Sequence, residues 1–94
     1  MRIEISKRAK RELDRAARWW NDPDILWDEL EAAGRRLLDE PEAGRRWVSS
    51  RGRLMWRLLL PRSQKFLYYA YFPERELIVV RCVWGAQRGK EPNP

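Results

Sequence analysis

The sequence predicts a single small α+β domain, residues 1–94, in which a helical hairpin packs on one face of a mainly antiparallel sheet. At 94 residues, the chain is long enough for one hydrophobic core but not for two. Its apolar residues recur at helical spacing in the first half and alternate with polar residues in much of the second half. The predicted order of elements is β-α-α-β-β-β, which lets the helices bury their apolar faces against the sheet.

The chain begins with a predicted strand and a predicted helix. Ile3 and Ile5 alternate with polar neighbours, which is typical of a short strand. Ser6 is suited to cap the N-terminus of a helix that extends to about Trp20. The apolar residues of this helix fall on one face, and they are Ala9, Leu13, Ala16, Ala17 and Trp20.

A second helix follows after a short break that contains Pro23. Proline disfavours helix at the residue before it, so we expect the first helix to end and the second to begin here. The second helix spans about residues 25–38, and its apolar stripe consists of Leu26, Leu30, Ala33 and Leu37. Two helices joined by so short a turn form an antiparallel hairpin.

The second half of the chain contains a basic connector and three predicted strands. Residues 45–52 have no regular apolar period, and we interpret them as the connector between the helices and the sheet. The segments that follow are rich in aliphatic and aromatic residues, as strands are, and turn residues separate them. These strands span residues 54–60, 65–72 and 77–84. Residues 85–94 are basic and contain glycine, and we expect them to form a flexible C-terminal tail.

The composition excludes several classes of chemistry. The chain has no histidine and one cysteine, so we expect no metal, no cofactor, no internal disulfide and no Ser-His or Cys-His catalytic pair. Its longest aliphatic run, Leu77 to Val80, is far shorter than the roughly 20 residues of a membrane helix. No apolar segment of a secretory signal follows Arg2. We therefore expect a cytoplasmic protein without a membrane partner.

The charge is distributed unevenly along the chain. Residues 1–43 carry a net charge of −2, whereas residues 44–94 carry +8. Sixteen of the twenty cationic residues are arginine, the side chain that makes bidentate contacts to phosphate and carboxylate groups. A basic half of this kind predicts an anionic partner, either nucleic acid or an acidic protein segment.

Two arginines interrupt strands that are otherwise apolar. Arg57 and Arg81 each lie in the middle of a predicted strand, so each guanidinium must be paired or must face solvent. Alternation places Arg81 on the same face as Val83. If the two arginines share a face, they form a cationic spot on the sheet. The alternative is an ion pair with a helix carboxylate such as Glu12 or Glu31.

The tryptophans and the single cysteine have different expected roles. Trp56 lies on the apolar face of its strand and is expected in the core, as is Cys82. Trp19 adjoins Trp20, and neighbours on a helix point about 100° apart, so one helix face cannot bury both. Trp19 therefore either contacts a protein partner or is covered by the chain's own connector.

Five short motifs stand in order along the predicted elements. They are SKRAKREL at 6–13, LDEPEAG at 38–44, RLLLPR at 57–62, FLYY at 66–69 and VRCVWGAQRG at 80–89. In these motifs and in its order of elements, the chain resembles the RelE/ParE superfamily of small toxins from bacterial type II toxin–antitoxin modules. The resemblance implies a toxin that inhibits bacterial growth and is neutralised by an antitoxin encoded next to it.

The superfamily has two branches that act on different targets. RelE-like members cleave mRNA on the ribosome with basic residues and a C-terminal Tyr or His, whereas ParE-like members interfere with DNA gyrase. Of the positions that are basic in the ribonuclease branch, this chain keeps Arg57 but has Leu59 and Phe66 at two others. The candidate catalytic residues under that alternative are Arg57, Lys65, Arg81 and Arg88.

The missing proton carrier favours the ParE-like branch. Cleavage of RNA needs proton transfer as well as charge stabilisation. The chain has no histidine and no C-terminal tyrosine, and arginine is a poor base because its pKa lies far above neutrality. We therefore expect a gyrase-binding toxin that cuts no bond itself. The expected target-binding residues are Arg57, Arg81, Trp84, Arg88 and Lys90.

The resemblance also implies a hetero-oligomer of the toxin with its antitoxin. By analogy with the family, an amphipathic helix or an extended acidic tail of the antitoxin would lie in the groove between the helical hairpin and the sheet. The expected antitoxin-binding residues are Trp19, Trp20, Leu30, Leu37, Arg53 and Arg57.

Overall fold

Two helices pack on one face of a five-stranded, mostly antiparallel sheet. The structure is a computed structural model that describes residues 1–19, 22–85 and 92. The strands are β1 (Arg2–Ile5), β2 (Arg45–Val48), β3 (Leu54–Leu60), β4 (Lys65–Phe72) and β5 (Leu77–Gly85), and the helices are α1 (Lys7–Trp19) and α2 (Pro23–Asp39). A short 3-10 turn, Pro73–Arg75, joins β4 to β5. The predicted α+β class, with a helical hairpin on a mainly antiparallel sheet, is confirmed.

The strands follow the order β1-β5-β4-β3-β2 across the sheet. β1 pairs with β5 in parallel, and the other three pairings are antiparallel. β1 and β2 are therefore the two edge strands. Among the described residues, neither helix is long and apolar enough to cross a membrane.

Side-chain hydrogen bonds attach α1 to the central strand β5. The Oγ of Ser6 accepts a hydrogen bond from the backbone N–H of Ala9 (3.1 Å), which makes Ser6 the predicted N-cap. The same hydroxyl donates to the carbonyl of Arg81 (2.8 Å). One turn later, Oε1 of Glu12 accepts the backbone N–H of Val83 (3.0 Å). These bonds fix the part of β5 that carries Arg81.

α2 is capped at its start and also holds the turn between β3 and β4. The Asp22 side chain accepts the backbone N–H of Asp24 (3.2 Å), and Pro23 stands in the first turn, where it is tolerated. Further along the helix, the Glu29 carboxylate accepts the backbone N–H of Arg62 (2.9 Å) and the Ser63 hydroxyl (2.7 Å). The end of β3 is thereby fixed to α2.

The main core lies between the helices and the sheet, and a smaller cluster lies on the opposite face. The main core contains Leu13 of α1, Leu26 and Leu37 of α2, and Leu58 and Ile78 of the sheet. The buried residues of the smaller cluster are Trp47, Met55, Tyr68 and Cys82. Cys82 is thus buried as predicted, and burial raises the pKa of its thiol to about 12.

One strand of the sheet was not predicted from the sequence. Residues 45–52 were expected to form a connector, but Arg45–Val48 pairs with the first half of β3 as strand β2. The predicted tail, residues 85–94, begins in the structure inside β5, because Gly85 pairs with Lys65. The rest of that predicted tail lies outside the described residues, with the exception of Pro92.

Candidate anion-binding site

The candidate site draws residues from helix α2 and from the face of the sheet that points away from the helices, here called the open face. Side chains alternate along β3, and Leu58 and Leu60 contribute to the core under the helices. Met55 belongs to the cluster on the opposite side. Arg57 lies two residues from Met55 in the same strand, so it belongs to the open face.

A β-bulge in β5 changes the orientation of Arg81. The pairing of β4 with β5 shifts between Tyr68, which lies opposite Cys82, and Tyr69, which lies opposite Val80. Arg81 is therefore an extra residue without a direct partner in β4. Such a bulge re-aims the side chains beside it, which simple alternation along the sequence cannot anticipate.

Arg81 consequently does not share a face with Val83, as the alternation predicted. Val83 belongs to the core under the helices. Arg81 lines a pocket of about 420 Å³ together with Arg53, Met55 and Phe72, so it lies on the open face with Arg57. Its Nε is buried and has no hydrogen-bond partner among the described residues. This buried donor makes the pocket that Arg81 lines suited to an acceptor group.

Three arginines from different elements line one pocket of about 390 Å³. They are Arg36 of α2, Arg45 of β2 and Arg57 of β3, and they are called the arginine trio below. Arg45 lies directly opposite Arg57 across the β2–β3 pair, an arrangement of like charges that destabilises a sheet. The guanidinium carbon of Arg57 also lies 4.7 Å from the centroid of the Phe66 ring, within the range of a cation–π contact.

The trio has no acidic partner among the residues that the structure describes. The ion pairs there join Arg2 to Glu4, Arg8 to Glu12 and Arg35 to Glu31. Glu12 and Glu31 are thus paired within their own helices, and the alternative ion pairs predicted for Arg57 and Arg81 do not form. Among the described residues, the lining of the pocket therefore contains three cationic side chains and no carboxylate.

A close backbone approach positions Arg45 in this pocket. The backbone N–H of Gly44 donates to Oη of Tyr69 (3.0 Å), and that hydroxyl donates to the carbonyl of Pro41 (2.9 Å). A Cβ on Gly44 would lie 2.6 Å from the carbonyl oxygen of Arg57 and 2.8 Å from the Tyr69 hydroxyl. Only glycine fits here without a shift. Burial raises the pKa of Tyr69, so its hydroxyl stays neutral and remains a hydrogen-bond donor.

The arrangement is suited to hold an anion rather than to move protons. Guanidinium groups bind phosphate and carboxylate with paired N–H donors. The other residues that line the pocket are Ala43, Gly44, Leu58, Leu59 and Phe66, and none carries an acid or base that exchanges protons near neutral pH. Within the described residues, no group of three potential metal-ligating side chains occurs either.

The structure separates the other expected target-binding and catalytic residues. Lys65 lies opposite Leu60, whose side chain is in the core under the helices, so the register places it away from Arg57. Trp84 packs against the smaller cluster on the open face. Arg88 and Lys90 lie outside the described residues. Arg57, Arg81 and Trp84 are the candidates that the structure brings to one face.

Two members of the trio, Arg36 and Arg45, were not predicted as site residues. Arg45 lies in the segment 45–52 that was predicted as a connector. Arg36 is one of many charged residues on the exposed side of α2. The one sequence signal for Arg45 is its position directly after Gly44. A glycine before a run of basic residues is a weak indication of close backbone approach.

The expected antitoxin-binding residues occupy different environments. Trp19 is 85% exposed, so the chain's described connector does not cover it. Leu37 is 1% exposed and belongs to the core, so its side chain is not available to a partner in this structure. Leu30 packs partly against the same core, whereas Arg53 is exposed. Trp20 lies outside the described residues.

The sequence matches no protein-family model and no curated protein.

Proposed function

We propose that this chain is the toxin of a type II toxin–antitoxin module, a RelE/ParE-like protein that inhibits bacterial growth and is neutralised by a cognate antitoxin. The target that we propose is DNA gyrase, as in the ParE-like branch. The observation that carries the proposal is the arginine trio, three arginines that line one pocket and form no ion pair with a described residue. The order of helices and strands, with the sheet's open face beside that pocket, agrees with the resemblance in the sequence motifs.

The lining of the pocket supports binding over RNA cleavage. Cleavage by attack of a 2′-hydroxyl needs a group that accepts a proton and a group that donates one. Arginine stabilises the charge of a phosphate but stays protonated, and the remaining lining residues are apolar. A toxin that acts by occupying a surface of its target needs the charge alone.

The alternative is a RelE-like, ribosome-dependent mRNA endoribonuclease. One observation favours it, which is the Phe66 ring beside Arg57. An aromatic ring next to a cation suits RNA, because the ring can stack on a base while the arginine contacts phosphate. In this alternative Arg57 and Arg81 would line the path of the RNA across the open face.

Reversing one charge of the trio tests the proposal. The chain would be induced in bacteria that lack the antitoxin, as the natural protein, as Arg57→Glu and as Arg11→Glu. Arg11 is an exposed residue of α1, so its substitution changes the net charge equally without touching the trio. We expect the natural protein and Arg11→Glu to stop growth and Arg57→Glu to permit it. Harmless expression of the natural protein, or full toxicity of Arg57→Glu at equal protein levels, would contradict the proposal.

A further inference from the structure

A hollow on the open face lies over a small side chain of β4. Residues two apart in a strand share a face, so Ala70 and Phe72 point to the same side as Tyr68, which belongs to the cluster on the open face. Ala70 is the small member of this set and stands between two aromatic residues. It lines the pocket of about 420 Å³ together with Met55 and Phe72. A small side chain between large ones therefore leaves this space open.

Two arginines line the same pocket, and hydrogen bonds hold the backbone of each. The carbonyl of Arg81, in the bulge of β5, accepts the hydroxyl of Ser6 (2.8 Å). Arg53 precedes β3, and its backbone N–H donates to Oγ of Ser49 (3.1 Å), while its carbonyl accepts the N–H of Ser49 (2.9 Å). Because both backbones are fixed beforehand, less freedom is lost when a ligand binds between the two side chains.

One donor of this pocket's lining has no acceptor. The Nε of Arg81 is buried and has no hydrogen-bond partner among the described residues, although buried polar side-chain atoms are usually paired. No ion pair within the described part of the chain involves Arg53 or Arg81, and the described lining contains no carboxylate. An acceptor group brought by a ligand would satisfy this donor.

The lining also indicates the chemical class of the ligand. A carboxylate has two oxygens in one plane, and they match the paired N–H donors of a guanidinium group. Much of the remaining lining is apolar or aromatic, as with Met55, Ala70 and Phe72, which suits a flat hydrocarbon body. The volume falls within the roughly 300–1,000 Å³ of small-molecule sites. Inorganic phosphate would leave the apolar part of the lining unused.

We propose that this space, here called the Ala70 pocket, binds a small organic acid that carries one carboxylate on a flat apolar body. The carboxylate would accept hydrogen bonds from the guanidinium of Arg81, including its Nε–H. Arg53 would supply a second positive charge from the exposed side, and the body would lie over Ala70 beside Phe72. No described residue lines both this pocket and that of the arginine trio, so the inference does not depend on the proposed toxin function.

The probe is 2-naphthoate, titrated into the ¹⁵N-labelled full chain and followed by NMR. Its neutral counterpart, 2-naphthamide, has the same shape without the charge. Ala70→Leu fills the pocket, and Ala70→Ser is its control of nearly unchanged size. Arg81→Lys keeps the positive charge but removes the Nε–H and the planar pair of donors. Arg11→Lys is the matched control, because Arg11 is an exposed residue of α1 that does not line the pocket.

We expect 2-naphthoate to shift the amide signals of Ala70 and Arg81 and the side-chain Nε–H signal that Arg81→Lys removes. The dissociation constant should rise about tenfold or more for Ala70→Leu, which occupies the space of the ligand. Arg81→Lys and the use of 2-naphthamide should each weaken binding by a similar factor, since each removes a charge-assisted hydrogen bond. Ala70→Ser and Arg11→Lys should bind within about twofold of the natural protein.

Equal binding of 2-naphthamide, or unchanged affinity of Arg81→Lys, would overturn the proposal. Shifts confined to Gly44 and Phe66 would also overturn it, because the ligand would then lie at the arginine trio. Inorganic phosphate that produces the same shifts at the same concentration would contradict the assignment to organic acids. The amide spectrum of each variant without ligand reports whether it folds. If Ala70→Leu does not fold, Arg81→Lys and the two ligands decide the question.

Discussion

Three arginines line one pocket of about 390 Å³, although like charges placed near one another oppose folding. A like-charged pair directly across two strands destabilises a sheet, and Arg45 lies opposite Arg57 in this way. Part of that cost is offset by the contact of Arg57 with the Phe66 ring. The described residues supply no carboxylate to this pocket. Positive charge that is held together without a counter-charge favours the binding of an anionic partner.

Gly44 provides a residue-scale test of how the trio is positioned. In Gly44→Ala the new methyl group would meet the carbonyl of Arg57 and the Tyr69 hydroxyl, both held by other bonds. We expect a loss of about 1–3 kcal/mol of unfolding free energy, measured by urea denaturation. The matched control is Gly34→Ala in α2, where no atom lies near the new methyl group. That variant should gain about 0.5–1 kcal/mol, and similar effects of the two substitutions would contradict this account.

Glu29 provides a test by pH. Burial alone would raise its pKa, but hydrogen bonds from Ser63 and from the backbone of Arg62 and Ser63 outweigh burial and lower it below 4.5. A lowered pKa in the folded state contributes stability that is present above the ordinary value and lost as the pH falls through the lowered one. We expect the natural protein to lose more unfolding free energy than Glu29→Gln between about pH 6 and pH 3. Parallel pH profiles of the two proteins would refute the role of this carboxylate.

At the scale of single residues, the sequence predicts Arg57 and Arg81 as candidate site residues but does not predict which residues surround them. A charged residue within an apolar strand is visible in the sequence because burial of an unpaired charge is costly. The orientation of Arg81 depends on a bulge, which is a property of two paired strands rather than of one segment. Arg36 joins the pocket through the packing of α2 on the sheet, and this tertiary contact leaves no local pattern.

At the scale of elements, the helices and the three long strands were predicted because each carries its own signal. Ser6 and Pro23 mark helix starts, and the apolar periods change where the sheet begins. β2 was missed because its apolar residues, Trp47 and Val48, are adjacent rather than alternating. This strand exists through its pairing with β3, and edge strands of four residues are too short for a period to show.

The exposed side chain of Trp19, at the end of α1, leads to a prediction about partner binding. Trp19 is exposed, so Trp19→Ala should change the unfolding free energy by no more than about 0.5 kcal/mol. If the chain is the proposed toxin, binding of its antitoxin should weaken by about tenfold or more, since exposed tryptophans are frequent binding hot spots. Calorimetric titration of the two proteins measures this. Trp19→Phe should retain part of the affinity, and an unchanged dissociation constant for Trp19→Ala would exclude α1 from the interface.

At the scale of the whole molecule, the two halves of the chain differ both in net charge and in the part of the fold that they form. The acidic helical half covers one face of the sheet and forms the main core, while the basic half supplies β2 to β5 and the open face. The sheet therefore presents Arg57 and Arg81 on the face that the helices leave free. A protein organised in this way is suited to contact a large anionic or acidic partner over one side.

The most direct test of the proposed function is pulse-labelling of bacteria after induction of the chain without its antitoxin. Thymidine and methionine incorporation would be followed in parallel over the first minutes, with Arg57→Glu as the matched control. A gyrase-directed toxin predicts an early fall in DNA synthesis while protein synthesis continues, and no fall in the Arg57→Glu culture. An immediate fall in methionine incorporation would instead indicate the ribosome, and unchanged incorporation of both labels would contradict the assignment as a toxin.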